Sequence, residues 1–288
     1  MPLHIWILTA LSVVLISCSS SADPDDIRPL PPVSVVATST SSTSVMLTWE
    51  AVSTDANRTG FRVEITEVGG TGEASRDTTI DNPASLTIIT IDNLTAGTRY
   101  AFSVYALNGS TASATAATVV WSPAMRYSMR VYEPRSENGN GIQLSHPVSL
   151  LLPAAFKWDL CLDVRDDSVF IGCPLQSSFA RPDSSGLYVN GDSIRRTVIG
   201  TVWPNVTSPD DVTADLKTDT YRSILLNAGA VNAMATPFVF AVRTQAGNYA
   251  KVLVNVTNGR FLQGDAPDRY LDLDIVYQPL VGESFLKQ

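Results

Sequence analysis

Residues 94–107 read LTAGTRYAFSVYAL. After the Ala-Gly turn, Tyr100, Phe102, Val104 and Ala106 recur at every second position, and a period of two places them on one face of a β-strand. Two upstream runs have the same pattern: Val45, Leu47 and Trp49 in one, Phe61, Val63 and Ile65 in the other. Pairing these rows face to face predicts an antiparallel sandwich over residues 33–122 with its core centred on Trp49.

The turn Leu94-Thr95-Ala96-Gly97-Thr98-Arg99-Tyr100, with Trp49 and Phe61 upstream, resembles the entry to strand F of fibronectin type III domains. The resemblance implies that Trp49, Leu94 and Tyr100 are core residues and that the Tyr100 hydroxyl bonds back to the upstream backbone. Ala96 stands where that family usually has proline. No Arg-Gly-Asp triplet occurs, so the expected role is a spacer or an interaction module.

Residues 123–288 also read as an all-β unit. Runs at 126–133, 157–163, 168–173, 196–203, 237–244, 249–257 and 270–278 are rich in β-branched and aromatic residues. Ala246-Gly247-Asn248 supplies a hairpin loop between two of them. Leu271, Leu273, Ile275 and Tyr277 are expected to face the core, with Asp272 and Asp274 on the other face. The one helix expected lies near residues 208–227.

Trp158-Asp159-Leu160, Val169-Phe170-Ile171-Gly172-Cys173, Phe238-Val239-Phe240-Ala241-Val242-Arg243 and the run ending Ile275-Val276-Tyr277-Gln278 look like HmuY-like domains. Those belong to haem-binding bacterial lipoproteins, so the resemblance implies a second antiparallel β-rich domain and haem as the candidate cofactor. Known members ligate the iron through two histidines between these motifs, and residues 174–236 contain none. Met234 is the one soft donor there, although an apolar Asn-Ala-Met-Ala segment also uses methionine as filler. His146, on a Ser-His-Pro turn before the strand motif, is the other haem-ligand candidate, but it reads first as a surface-loop histidine.

At the N-terminus, residues 5–16 (IWILTALSVVLI) are apolar and uncharged but short of the roughly 20 residues of a bilayer-spanning helix. They read as the core of a signal peptide covering residues 1–17. Leu15-Ile16-Ser17-Cys18 resembles the bacterial lipobox, which implies lipid attachment at Cys18. Ser19 after the cysteine implies an outer-membrane address, on the periplasmic face or the cell surface. Residues 18–32, polar and proline-rich, form the expected tether.

The chain has 288 residues, a net charge of −8 and only two histidines. That charge disfavours nucleic acid, and scarce histidine removes much acid–base chemistry. With Cys18 lipidated, Cys161 and Cys173 remain as an expected disulfide pair. Asp163, Asp166 and Asp167, and Asp265, Asp268, Asp272 and Asp274, form two acidic groups without EF-hand spacing; they read as solvated acids, and no metal site is assigned. No hydrolase, zinc-protease or nucleotide-binding motif is found, so no enzyme is expected. The sequence therefore predicts a non-enzymatic outer-membrane lipoprotein whose C-terminal domain binds haem or another small apolar ligand and passes it to a membrane receptor. The alternative is an adhesion or envelope-structural protein without a cofactor.

Overall fold

The computed structural model describes residues 28–69, 75–76, 82–151, 157–165, 167–172, 195–221, 225–231 and 235–284. The N-terminal unit contains β1 (Ser34–Ser41), β2 (Ser44–Glu50), β3 (Gly60–Glu67), β4 (Ser75–Arg76), β5 (Asn82–Pro83), β6 (Ile88–Ile91), β7 (Tyr100–Asn108), β8 (Thr111–Ala112) and β9 (Ala117–Trp121). One sheet has the order β1-β2-β6; the other is built on β3 and β7, with β9 paired to β7. The alternating rows meet between the sheets: Leu47, Phe61, Phe102 and Val104 are fully buried, and the Trp49 ring lies edge-on to Phe61 at 5.2 Å. Trp49, Leu94 and Tyr100 are all buried. The Thr95 amide donates to the Tyr100 hydroxyl at 3.0 Å, fastening the turn that enters β7. Gly97 has a φ of 75°, a left-handed conformation that glycine adopts without a Cβ clash.

The C-terminal unit contains β10 (Met125–Tyr132), β11 (Gly141–Gln143), β12 (Val148–Leu150), β13 (Leu160–Arg165), β14 (Ser168–Gly172), β15 (Val198–Pro204), β16 (Leu225–Ala230), β17 (Phe238–Arg243), β18 (Tyr249–Val254), β19 (Leu262–Gln263) and β20 (Tyr270–Tyr277). Its sheets have the orders β10-β20-β18-β17-β15 and β12-β11-β13-β14-β16. Leu271, Leu273, Ile275 and Tyr277 point into the core with Ile142, Leu160, Leu162, Ile171 and Phe240 from both sheets. Asp272 and Asp274 lie on the outer face, half-buried. Between β17 and β18 the loop takes φ of 88° at Gly247, and Thr244 N bonds Asn248 O at 2.9 Å.

The helix expected near residues 208–227 is not formed. Among the described residues of that stretch the structure has only a 3-10 turn at Pro209–Asp211, and β16 begins at Leu225. Aspartate side chains occupy the backbone donors that a helix would use. Asp215 accepts from Lys217 N at 2.9 Å and Asp219 from Thr220 N, while Asp219 also accepts from Thr201 N on β15, outside the stretch. The segment instead covers the outer face of the first C-terminal sheet, burying Val212 and Leu216. Beneath it Lys251 donates to Val212 O at 2.6 Å.

The two units share packing. Leu216, Ala241, Tyr249 and Val276 belong to the same apolar cluster as Trp121, Ala124 and the core of the N-terminal sandwich. At the junction Ser39 Oγ accepts from Trp121 Nε1 at 2.9 Å and from Ala124 N at 2.8 Å. Gln278 Nε2 donates to Ser122 O at 3.1 Å, and Glu283 pairs with Arg99 and Lys217. Ser39→Ala strands two buried donors, so the chain should lose about 2 kcal/mol or more in urea unfolding. An unchanged midpoint would mean that water replaces the serine.

Candidate functional site

The C-terminal sandwich is open along one side, where β15 ends one sheet and β16 ends the other. Both strands carry a bulge there. On β15 the pairing with β17 slips between Ile199 and Val202, and Asp219 pins the irregular stretch through Thr201 N at 2.8 Å and Thr201 Oγ1 at 2.6 Å. On β16 the pairing with β14 slips so that Ala228 is the extra residue between Asn227 and Gly229. A bulge bends its strand away from the regular ladder, so an irregularity on each edge strand works against the two edges pairing. A cleft of about 420 Å³ results. Its walls are largely apolar, from Val202, Pro204, Leu226, Ala228, Phe238 and Phe261, with Asn227 and Thr236 as the polar members. That size and lining suit a small apolar ligand.

A second cluster lies between the sheets near the other end of β17 and β18. Asp159, buried, accepts from Leu144 N at 2.8 Å and from Arg195 Nη1 at 3.2 Å. The Tyr127 hydroxyl donates to Leu144 O at 2.7 Å. Burial raises the Asp159 carboxyl above its usual range, against the downward pull of the Leu144 amide and Arg195. Burial, then the Asp159 charge, pushes the Tyr277 hydroxyl up to about 12. A raised carboxyl contributes stability fully below its unfolded value of about 4, and this is lost as the pH climbs through the folded value. Asp159→Asn retains an acceptor for Leu144, so it should gain stability relative to the parent as urea unfolding is repeated from pH 3.5 to 7. The opposite trend would show that the Arg195 pair dominates. The arrangement ties β13 to the segment entering β15, and it holds no nucleophile–base pair.

With this geometry in place, comparison with known proteins bears on the first unit. The family model described as the fibronectin type III domain matches residues 30–120. Residues 30–120 are a fibronectin type III domain. Solved structures similar to it include the FN5 domain of Drosophila Lar, at 23% identity over 33% of this chain and 96% of that one, TM-score 0.28. The third fibronectin III domain of human KIAA0343 protein matches at 20% identity over 37% and 93%, TM-score 0.31. The fn3 domain of human collagen alpha-1(XX) chain matches at 17% over 36% and 92%, TM-score 0.30. No curated protein matches the chain.

Of the site residues singled out from sequence beyond the fibronectin type III domain, His146 and Cys161 are among the described residues, and neither lines the cleft. His146 is exposed on the turn between β11 and β12, its Nδ1 3.0 Å from Ser145 Oγ and 3.1 Å from Gln143 Nε2. β11 lies three strand spacings from β16, about 14 Å, so this imidazole does not reach the cleft. Cys161 is buried on β13, with its Sγ 3.4 Å from Gly172 O. Cys173, Met234 and Cys18 lie outside the described residues. Met234 directly precedes Ala235, which lines the cleft. Among the described residues no cluster of His, Cys, Asp and Glu is arranged to hold a metal ion, and no helix is long and apolar enough to cross a membrane. The sequence reading missed Leu226, Ala228 and Phe261, because a cleft built by two edge strands and a turn leaves no local pattern.

Proposed function

We propose that the protein is a lipid-anchored, non-enzymatic binding protein of the outer membrane that captures a small, flat, apolar molecule in the cleft between β15 and β16. The observation that carries this reading is the apolar cleft itself, between edge strands that each carry a bulge. Its place in the chain supports delivery at a surface. The tether precedes β1, which runs toward the junction at Ser39, and β10 leads onward from that junction. At the level of the cleft, Phe238 pairs with Val254 and Val254 with Leu273, four residues beyond the Tyr277 level at the junction. The cleft therefore lies beyond the junction, with the fibronectin type III domain between it and the tether.

Haem, the cofactor implied by the HmuY resemblance, is not fitted by the described lining. None of those residues carries an imidazole, thiolate or thioether for the iron. The ligand class therefore follows the described lining: neutral, aromatic or aliphatic. The full chain in mild detergent should bind Nile red saturably at one site, while haem added under oxidising and reducing conditions keeps its free spectrum. A saturable low-spin haem spectrum would overturn this choice of ligand and make Met234→Ala the next variant. For the anchor, Cys18→Ala should move the protein from the membrane to the soluble fraction; retention in membranes would remove the lipid from the proposal.

A further inference from the structure

On the outer face of β10 and β20, three cross-strand pairs follow one another: Ser128 with Asp274, Arg130 with Asp272, and Tyr132 with Tyr270. Paired residues of an antiparallel ladder share a face, so these six side chains form one row. The row is tied together along its length. Ser128 Oγ donates to Asp274, Arg130 Nε donates to Asp272 Oδ1 at 2.9 Å, and Asn255 Nδ2 donates to Asp274 Oδ2 at 2.9 Å. At one end the Tyr132 and Tyr270 rings stand 5.2 Å apart, with the Arg130 guanidinium 4.5 Å above the Tyr270 ring. The stretch Asn255, Val256 and Thr257 rises beside this row, and between them runs a groove of about 600 Å³. It is larger than the apolar cleft and opposite to it in character.

We propose that this groove is a binding site for a neutral saccharide chain. A sugar hydroxyl both donates and accepts, so it can join a row that already alternates carboxylate, guanidinium, amide and hydroxyl without stranding any of them. Each carboxylate can accept about four hydrogen bonds, which leaves capacity beyond the partners within the row. Just beyond the groove's own lining, at the end of the row, the half-exposed Tyr132 ring supplies the other requirement, an aromatic surface against which the C–H face of a pyranose packs, while Arg130 covers a face of Tyr270. Charge fixes the class of saccharide. Asp272 and Asp274 outweigh Arg130, on a chain of net charge −8, so uronate and sulfate polymers, anionic lipid and nucleic acid are repelled. A basic peptide fits less well, because it would be repelled by the Arg130 guanidinium within the row, where a hydroxyl can accept from it. The inference is independent of the cleft, which lies at the opposite edge of the same sheet, since β10 and β15 end the order in which β20, β18 and β17 lie between.

Native affinity electrophoresis of the full chain in mild detergent, in gels containing mannan, xylan, a β-glucan or polygalacturonate, tests this directly. At least one neutral polymer should retard the protein, polygalacturonate should not, and Asp272→Ala and Arg130→Ala should each weaken retardation about tenfold, the loss expected for a charge-assisted hydrogen bond. The Arg130 side chain is exposed and that of Asp272 half-exposed on the outer face of the sheet, so melting temperatures should change little; Tyr132→Ala, removing the aromatic surface, gives a second route to the same loss. The proposal is overturned if no neutral polymer retards the protein, if the variants are retarded as the parent is, or if only polygalacturonate or a lysine-rich peptide binds.

Discussion

Ala228→Phe is expected to abolish Nile red capture while leaving the unfolding free energy within about 1 kcal/mol of the parent. Ala228 is the extra residue of the β16 bulge, half-buried, and it lines the cleft between the two edge strands. A phenyl ring there occupies the ligand's space instead of forcing its way into the closed core, because the cleft provides room on that side. Affinity should fall at least tenfold, about 1.4 kcal/mol, as the new ring displaces the bound molecule from Phe238 and Phe261. Thr236→Trp, at an exposed position on the rim, should act in the same direction by a different route. Fluorescence titration of both variants against urea unfolding separates the outcomes. If both fold as the parent and still bind with its affinity, the dye sits elsewhere and the cleft is not the site.

The ease of reading differed sharply between the two units for physical reasons. Phe61, Phe102 and Leu271 lie on strands with one face in a core and one in solvent, and that geometry imposes alternation directly on the sequence. β17 and β18 are buried on both faces, so their near-continuous apolar runs were also legible as strands. β16 was not. Its LLNAGA stretch has no β-branched residue, and it sits at a bulged edge where strand propensity exerts little selection. Of the two aspartates that oppose the expected helix, Asp215 acts locally on Lys217 N, but Asp219 is also held by Thr201, 18 residues upstream, a contact no local window contains. The cleft inherits this opacity because its walls come from the two strands whose edges are irregular. The polar groove was half visible. Asp272 and Asp274 were placed on the outer face by periodicity, but only the pairing of β10 with β20 brings Arg130, Tyr132 and Ser128 beside them.

Gly141→Ala should be strongly destabilising to the C-terminal sandwich. A Cβ on Gly141 would lie 2.0 Å from Cδ2 of Trp158 and 2.4 Å from its Cγ, well inside contact distance. Trp158 is fully buried, so the indole cannot swing into solvent to make room. Gly141 is held on its other sides as well, paired with Leu150 on β12 and with Cys161 on β13. Conformational freedom is not the reason for glycine here, since the clash alone forbids a side chain. Over-packing of this severity costs about 3 kcal/mol or more, and unfolding in urea should show it. Trp158→Phe opens a void and should cost about 2 kcal/mol by itself, toward the lower end of large-to-small core changes. Combined, the two substitutions should cost less than their sum by about 1–3 kcal/mol, because the smaller ring vacates the space that the methyl needs. Simple additivity would mean that β11 shifts away from the indole instead. The cycle also bears on why Trp158 and Asp159 stand together: the indole seals β11 from inside while Asp159, donating its amide to Ile142 O at 2.7 Å and accepting from Leu144 N, clamps the same strand at its middle and just past its C-terminal end. On that argument the Trp-Asp pair is a device for holding β11 to β13, and its loss should unfold the sheet before it disturbs any ligand in the cleft three strands away.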